Sequence, residues 1–82
     1  MADQPSTPAG ADESLRKVLA VNVVRLRTAR GWSQHDLARE AGFERSYIAH
    51  VERGVKNITL DNLERLAVGL RVAVHKLLIR PR

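Results

Sequence analysis

Cysteine is absent from this 82-residue chain, which removes disulfides and thiolate-bound metals and suits a reducing cytoplasm. Aromatic residues are scarce: one Phe, one Tyr and one Trp do not make the stacking platform that single-stranded RNA readers use. No apolar run approaches the roughly 18 residues that a membrane helix requires, so no membrane association is expected. Residues 1–13 have neither a basic flank nor an apolar stretch and do not read as a secretory signal. No glycine-rich phosphate loop occurs, and His35, His50 and His75 lie too far apart in sequence for a zinc site. No nucleophile has a matching base and orienting group. The expectation is a non-enzyme with no metal, cofactor or small-molecule ligand.

What is present is a single domain, 44% hydrophobic and 28% charged, which is a globular balance. Its charge is unevenly placed. Asp3, Asp12 and Glu13 are the only charges among the first thirteen residues. Residues 14–82 therefore hold all 14 cationic side chains against six acids, a net +8 inside a chain total of +5. A basic folded part favours a polyanionic partner, usually nucleic acid. A merely soluble surface is the bland alternative.

Residues 1–11 contain Pro5, Pro8, Gly10 and few apolar side chains, and read as a disordered tail that has little to bury. From Asp12 to Arg82 the apolar residues fall at helical spacing, and the expected fold is all-α, a compact five-helix domain. Leu15, Leu19, Val23 and Leu26 form one stripe with Val18 beside it, predicting a first helix from Asp12 or Ser14 to Arg30. Val21 and Val24 lie off the stripe. Gly31 ends the helix.

Three further starts share one signature. Ser33 can cap a helix with Asp36 reaching back, while Trp32 and Leu37 form a hydrophobic staple. Thr59 repeats the cap, with Ile58 set against Leu63. Phe43 and Ile48 offer a third staple, although Glu44 is a weaker cap. Helices are thus predicted near 34–41, 45–53 and 60–70, with a short last one near 74–79. Only Gly42, Phe43 and Glu44 separate the second and third. Such a turn gives the steep crossing of a helix-turn-helix, with Leu37, Ala38, Ala41, Ile48 and Val51 as shared core. An ordinary helical hairpin has the same local features.

Arg27, Gly31, Ser33-Gln34-His35-Asp36-Leu37-Ala38, Gly42, Ile48 and Glu52-Arg53-Gly54 together resemble the lambda-repressor-like (Cro/repressor, Xre) helix-turn-helix family. Residues 45–58 are similar to those of restriction–modification controller proteins. The resemblance covers about residues 15–79 and implies sequence-specific binding of double-stranded DNA. Glu44, Gly69 and Arg71 depart from the family pattern, and they bear on the fourth and fifth helices more than on the motif.

In a helix-turn-helix the second helix of the motif enters the major groove. On helix 45–53, Arg45, Ser46, Ala49 and His50 share one face and are the candidate base contacts. Arg45 leads, because its forked donors match guanine O6 and N7. The family resemblance carries base contact to Arg45, Ser46 and His50. Candidate phosphate contacts are Arg27, Ser33, Gln34, Tyr47, Arg53, Lys56 and Asn57. Ser33 competes as a simple cap, and Tyr47 competes as a packing residue against the first helix. The resemblance also implies an Arg27–Glu52 bridge that orients Arg27 beside the DNA backbone. Arg16, Lys17, Arg65 and Lys76 read as solvated.

One recognition helix reads few base pairs, so a homodimer on an inverted repeat is expected. Val68, Val72, Val74, Leu78 and Ile79 are the candidate interface. RNA polymerase or an antagonist protein is compatible as a further partner. The reading is a cytoplasmic, nucleoid-associated bacterial or phage transcriptional regulator, either a repressor or a controller. The rival reading is a protein-interaction module of the same fold, antitoxin-like or coactivator-like, with DNA binding secondary.

Overall fold

Ser14 opens the first helix by accepting a hydrogen bond from the Lys17 N–H. The computed structural model describes residues 14–81. The expected tail over 1–11 lies outside them. Helix α1 runs Leu15–Ala29, α2 Gln34–Ala41, α3 Arg45–Glu52 and α4 Leu60–Leu70.

The fifth expected helix is not an α-helix. Val74–Leu78 forms a 3-10 turn, in which Lys76 N–H bonds to Ala73 O, three residues back. Five residues are too few to establish a ladder of i→i−4 bonds, and the tighter winding satisfies the backbone instead. The fold is therefore four α-helices and a 3-10 turn, with no strand among the described residues.

Each boundary has a local cause. At Ser33 the full capping box forms: its hydroxyl accepts from Asp36 N–H at 3.0 Å, and the Asp36 carboxylate accepts from Ser33 N–H at 2.8 Å. Those bonds hold the Asp36 carboxyl below its ordinary pKa, the backbone bond from Ser33 contributing most. Thr59 caps α4 by accepting from Asn62 N–H. Glu44, the weak candidate, makes no side-chain cap bond to α3. Gly42 carries φ 77°, a left-handed conformation that glycine adopts without steric cost. It lets the chain reverse from α2 into α3.

The core takes one side from every helix. Leu19 and Val23 of α1, Leu37, Ala38 and Ala41 of α2, and Ile48 and Val51 of α3 are buried. They meet Leu63, Leu66, Ala67 and Leu70 of α4 and Leu77 of the 3-10 turn. Leu15 does not follow its stripe: among the described residues it is 54% exposed, in the first turn of α1. Leu26 and Trp32 pack at the core edge.

Asn22 is the buried polar residue of the interior. Its amide donates to the carbonyls of Leu77 at 2.8 Å and Ile79 at 2.9 Å, and so pins the 3-10 turn onto α1. A buried amide with its bonds made is tolerated; one without them is costly.

Candidate nucleic-acid interface

The motif is α2, the turn at Gly42 and α3. Leu37, Ala38, Ala41, Ile48 and Val51 form the expected shared core, all buried. With those five inward, Arg45, Ser46 and His50 are exposed and Ala49 is half-buried. The four candidate base-reading residues thus occupy positions 45, 46, 49 and 50 of one eight-residue helix. Its first turn carries Arg45 and Ser46.

Behind them lies a polar network that begins on α1. Arg27 Nε donates to Glu52 Oε2 at 2.6 Å, and Arg27 Nη2 donates to Glu52 Oε1 at 3.0 Å. The side chains are only 14% and 6% exposed, so this is a largely buried bidentate pair. Arg27 Nη1 also donates to the Trp32 carbonyl at 2.8 Å, which fixes the guanidinium on three sides. Such a fork is a geometric device more than a source of stability, since desolvation offsets much of the attraction.

Glu52 has a second client. Gln34 Nε2 donates to Glu52 Oε1 at 3.0 Å, and Gln34 Oε1 accepts from Arg45 Nη1 at 3.1 Å. Arg27, Glu52, Gln34 and Arg45 therefore form one chain of hydrogen bonds from the first helix to the tip of the third. The resemblance anticipates its Arg27–Glu52 link. The two links through Gln34 were not legible, because nothing in the spacing of an amide eleven residues from Arg45 requires a contact.

The remaining candidates are dispersed around this network. Ser33 is occupied as the α2 cap. Arg53 closes α3, its backbone N–H bonding to Ala49 O, and its side chain is exposed. Lys56 is half-buried, with Nζ 4.9 Å from the Tyr47 ring centre. Asn57 is exposed and lines a groove with Leu15, Arg16, Leu60 and Leu78. Tyr47 stacks on Phe43 with ring centres 4.4 Å apart, and its hydroxyl accepts from Asn62 of α4.

The five candidate interface residues differ in exposure. Val72 and Leu78 are half-buried against the core. Val68, Val74 and Ile79 are exposed. Val68 lines a separate groove with Glu40, Asp61 and Glu64, apart from the groove that Leu78 lines. His35 and His75 are surface residues, and no cluster of metal-ligating side chains occurs among the described residues. No helix among them is long and apolar enough to cross a membrane.

Two short helices crossed over a glycine turn, with a basic and polar outer helix braced from within, define a helix-turn-helix protein. The chain belongs to that family: a family model described as Helix-turn-helix matches residues 23–77. A curated relative, the "Neisseria hypothetical transcription factor" of Neisseria meningitidis serogroup B, is 46% identical over 70 residues. That match takes in 85% of this chain and 66% of the relative, so the chain spans just under two thirds of the relative's length. Among solved structures, the hypothetical transcription factor NHTF from Neisseria superposes with a TM-score of 0.81 at 42% identity. The superposition covers 95% of this chain and 92% of that one. The restriction–modification controller protein C.AhdI from Aeromonas hydrophila gives 0.73 at 39% identity, over 76% of this chain and 94% of that one.

Proposed function

We propose that this protein is a DNA-binding transcriptional regulator that reads double-stranded DNA with α3 in the major groove. The observation that carries the reading is the Arg45 guanidinium, exposed at the start of α3 and held by the Arg27–Glu52–Gln34 chain. An arginine so placed has donors left for guanine O6 and N7. Ser46, Ala49 and His50 complete the base-reading face. The relatives named as transcription factor and controller protein support the same function.

Phosphate contact is assigned to Gln34 at the first turn of α2, to Arg27, and to Arg53, Lys56 and Asn57 after α3. Ser33 and Tyr47 contribute their hydroxyls. Two copies bind an inverted repeat, with half-sites about 34 Å apart or a multiple of that. Val68, Val72, Val74, Leu78 and Ile79 are the apolar side chains offered to the second copy, of which Val68, Val74 and Ile79 are exposed. Regulation of either sign follows from operator position, with RNA polymerase or an antagonist as the further partner.

Selection of bound duplexes from a random pool tests the reading. It should return an inverted repeat, and Arg45→Ala should relax one guanine position in each half. A pool that returns no preferred sequence, or binding that is insensitive to salt, overturns it. Genuine duplex binding loses affinity with a log–log slope of about −0.9 per neutralised phosphate.

A further inference from the structure

The start of α3 lacks the device that starts the other helices. The side chains of Ser14, Ser33 and Thr59 each accept a bond from a backbone N–H, whereas the Glu44 side chain accepts none. An eight-residue helix is marginal on its own, and its first turn carries Arg45 and Ser46. The support comes instead from α4.

Two α4 side chains reach the motif. Arg65 donates to the carbonyl of Gly42, the turn residue, and its guanidinium carbon lies 4.0 Å from the Phe43 ring centre. It also donates to Asn62 Oδ1 at 3.3 Å. Asn62 in turn donates from Nδ2 to the Tyr47 hydroxyl at 3.1 Å. Phe43 and Tyr47 stack with their planes 8° apart. The result is a closed set of contacts: α4 grips the turn before α3 and the third residue of α3, and a pair of rings joins the two grips.

We propose that Arg65 and Asn62 are positioning residues for sequence reading, setting the pose of α3 against α2 through the Gly42 carbonyl and the Tyr47 hydroxyl. The inference rests on the reading of α3 as the recognition helix. Arg65 suits the task because its planar fork bonds in two directions while its face lies on a ring. Lysine keeps the charge and the ring contact but cannot span both acceptors. Reading groups need placement within about 0.5 Å, and a helix free to roll about its axis loses that first at its outermost side chains.

The test compares the selected duplex with a scrambled duplex for wild type, Arg65→Lys and Asn62→Ala, with folding checked by circular dichroism. Both variants should lower the ratio of specific to non-specific affinity by about tenfold, within what one bidentate base contact discriminates. Non-specific affinity and its salt slope should stay at wild-type values. Amide exchange in the first turn of α3 should quicken while that of Leu66 and Leu70 stays unchanged. A ratio within twofold of wild type in both variants overturns the positioning role. An equal loss on both duplexes in an added Arg65→Gln variant, with its salt slope reduced by about 0.9 while that of Asn62→Ala is unaltered, overturns it too, since Arg65 is then a phosphate ligand. Wild type without any sequence preference rejects the underlying reading of α3 instead, a result separable from either of these.

Discussion

Gly69 of α4 lies against Ala41 of α2 so closely that a Cβ on Gly69 would sit 2.7 Å from the Ala41 Cβ and 2.9 Å from its Cα. Glycine inside a helix costs about 1 kcal/mol in propensity relative to alanine, and this close approach leaves no room for a Cβ. Gly69→Ala should therefore destabilise the domain by about 1–3 kcal/mol, because overpacking exceeds the propensity gained. Urea unfolding measures the difference. A more stable variant contradicts the packing.

Arg71 presents the opposite case. It ends α4 in the left-handed region with φ 60°, where a side chain costs about 1–2 kcal/mol and glycine costs nothing comparable. Its exposed pairing with Glu40, at 3.8 Å, offsets little of that. Arg71→Gly should raise stability by about 0.5–1 kcal/mol once the greater freedom of glycine in the unfolded chain is subtracted. A rise in the thermal midpoint would show it; a fall would contradict it.

Asn22 holds two carbonyls of the C-terminal segment. Asn22→Ala should cost about 2–3 kcal/mol, since buried acceptors lose their donor. Amide exchange over residues 74–79 should accelerate ahead of the rest. Uniform acceleration along the chain would mean that the segment is held by apolar packing alone.

The capping box at Ser33 should leave a signature in acid. The Asp36 carboxyl has its pKa lowered in the folded state from a value of 3.8 by hydrogen bonds from Ser33. A lowered folded pKa stabilises the fold at neutral pH, and the contribution is lost as pH falls through the folded value. Asp36→Asn should therefore be less stable than wild type at pH 7, with the gap closing as both are titrated below the ordinary carboxylate range. A gap independent of pH between 7 and 2 would remove the carboxylate from the account.

Glu52 links two roles. Its loss leaves the mostly buried Arg27 without a counter-charge, which typically costs about 3–5 kcal/mol. Glu52→Ala, studied where it is still folded, should bind every duplex more weakly rather than only the preferred one. Equal affinities for folded wild type and variant would show that Arg27 is not placed for DNA by this pair.

Much of the backbone was legible because it is punctuated by residues with one structural use. Ser14, Ser33, Thr59 and Gly42 mark helix ends that the structure puts within a residue or two of expectation. The shared core of the motif was equally readable, since Leu37, Ala38, Ala41, Ile48 and Val51 carry it by period alone. What escaped depends on contacts between distant residues. Asn22 interrupts an apolar face without showing that its partners lie 55 and 57 residues away. Arg65 reads as a solvated charge, and only the path of α4 puts it on Phe43 and Gly42. The last helix had the apolar spacing of an α-helix but not the length.

Both ends of the Gln34 amide are engaged in the free protein, the nitrogen donating to Glu52 and the oxygen accepting from Arg45. A phosphate that takes the N–H now given to Glu52 exchanges one hydrogen bond for another, so the heat released on DNA binding should then fall short of a simple tally of new contacts. The same arrangement constrains how the protein can acquire a new target sequence. A residue at position 45 that cannot donate leaves the Gln34 carbonyl to water in the free protein, so a change of specificity at position 45 should be felt at Gln34 as well.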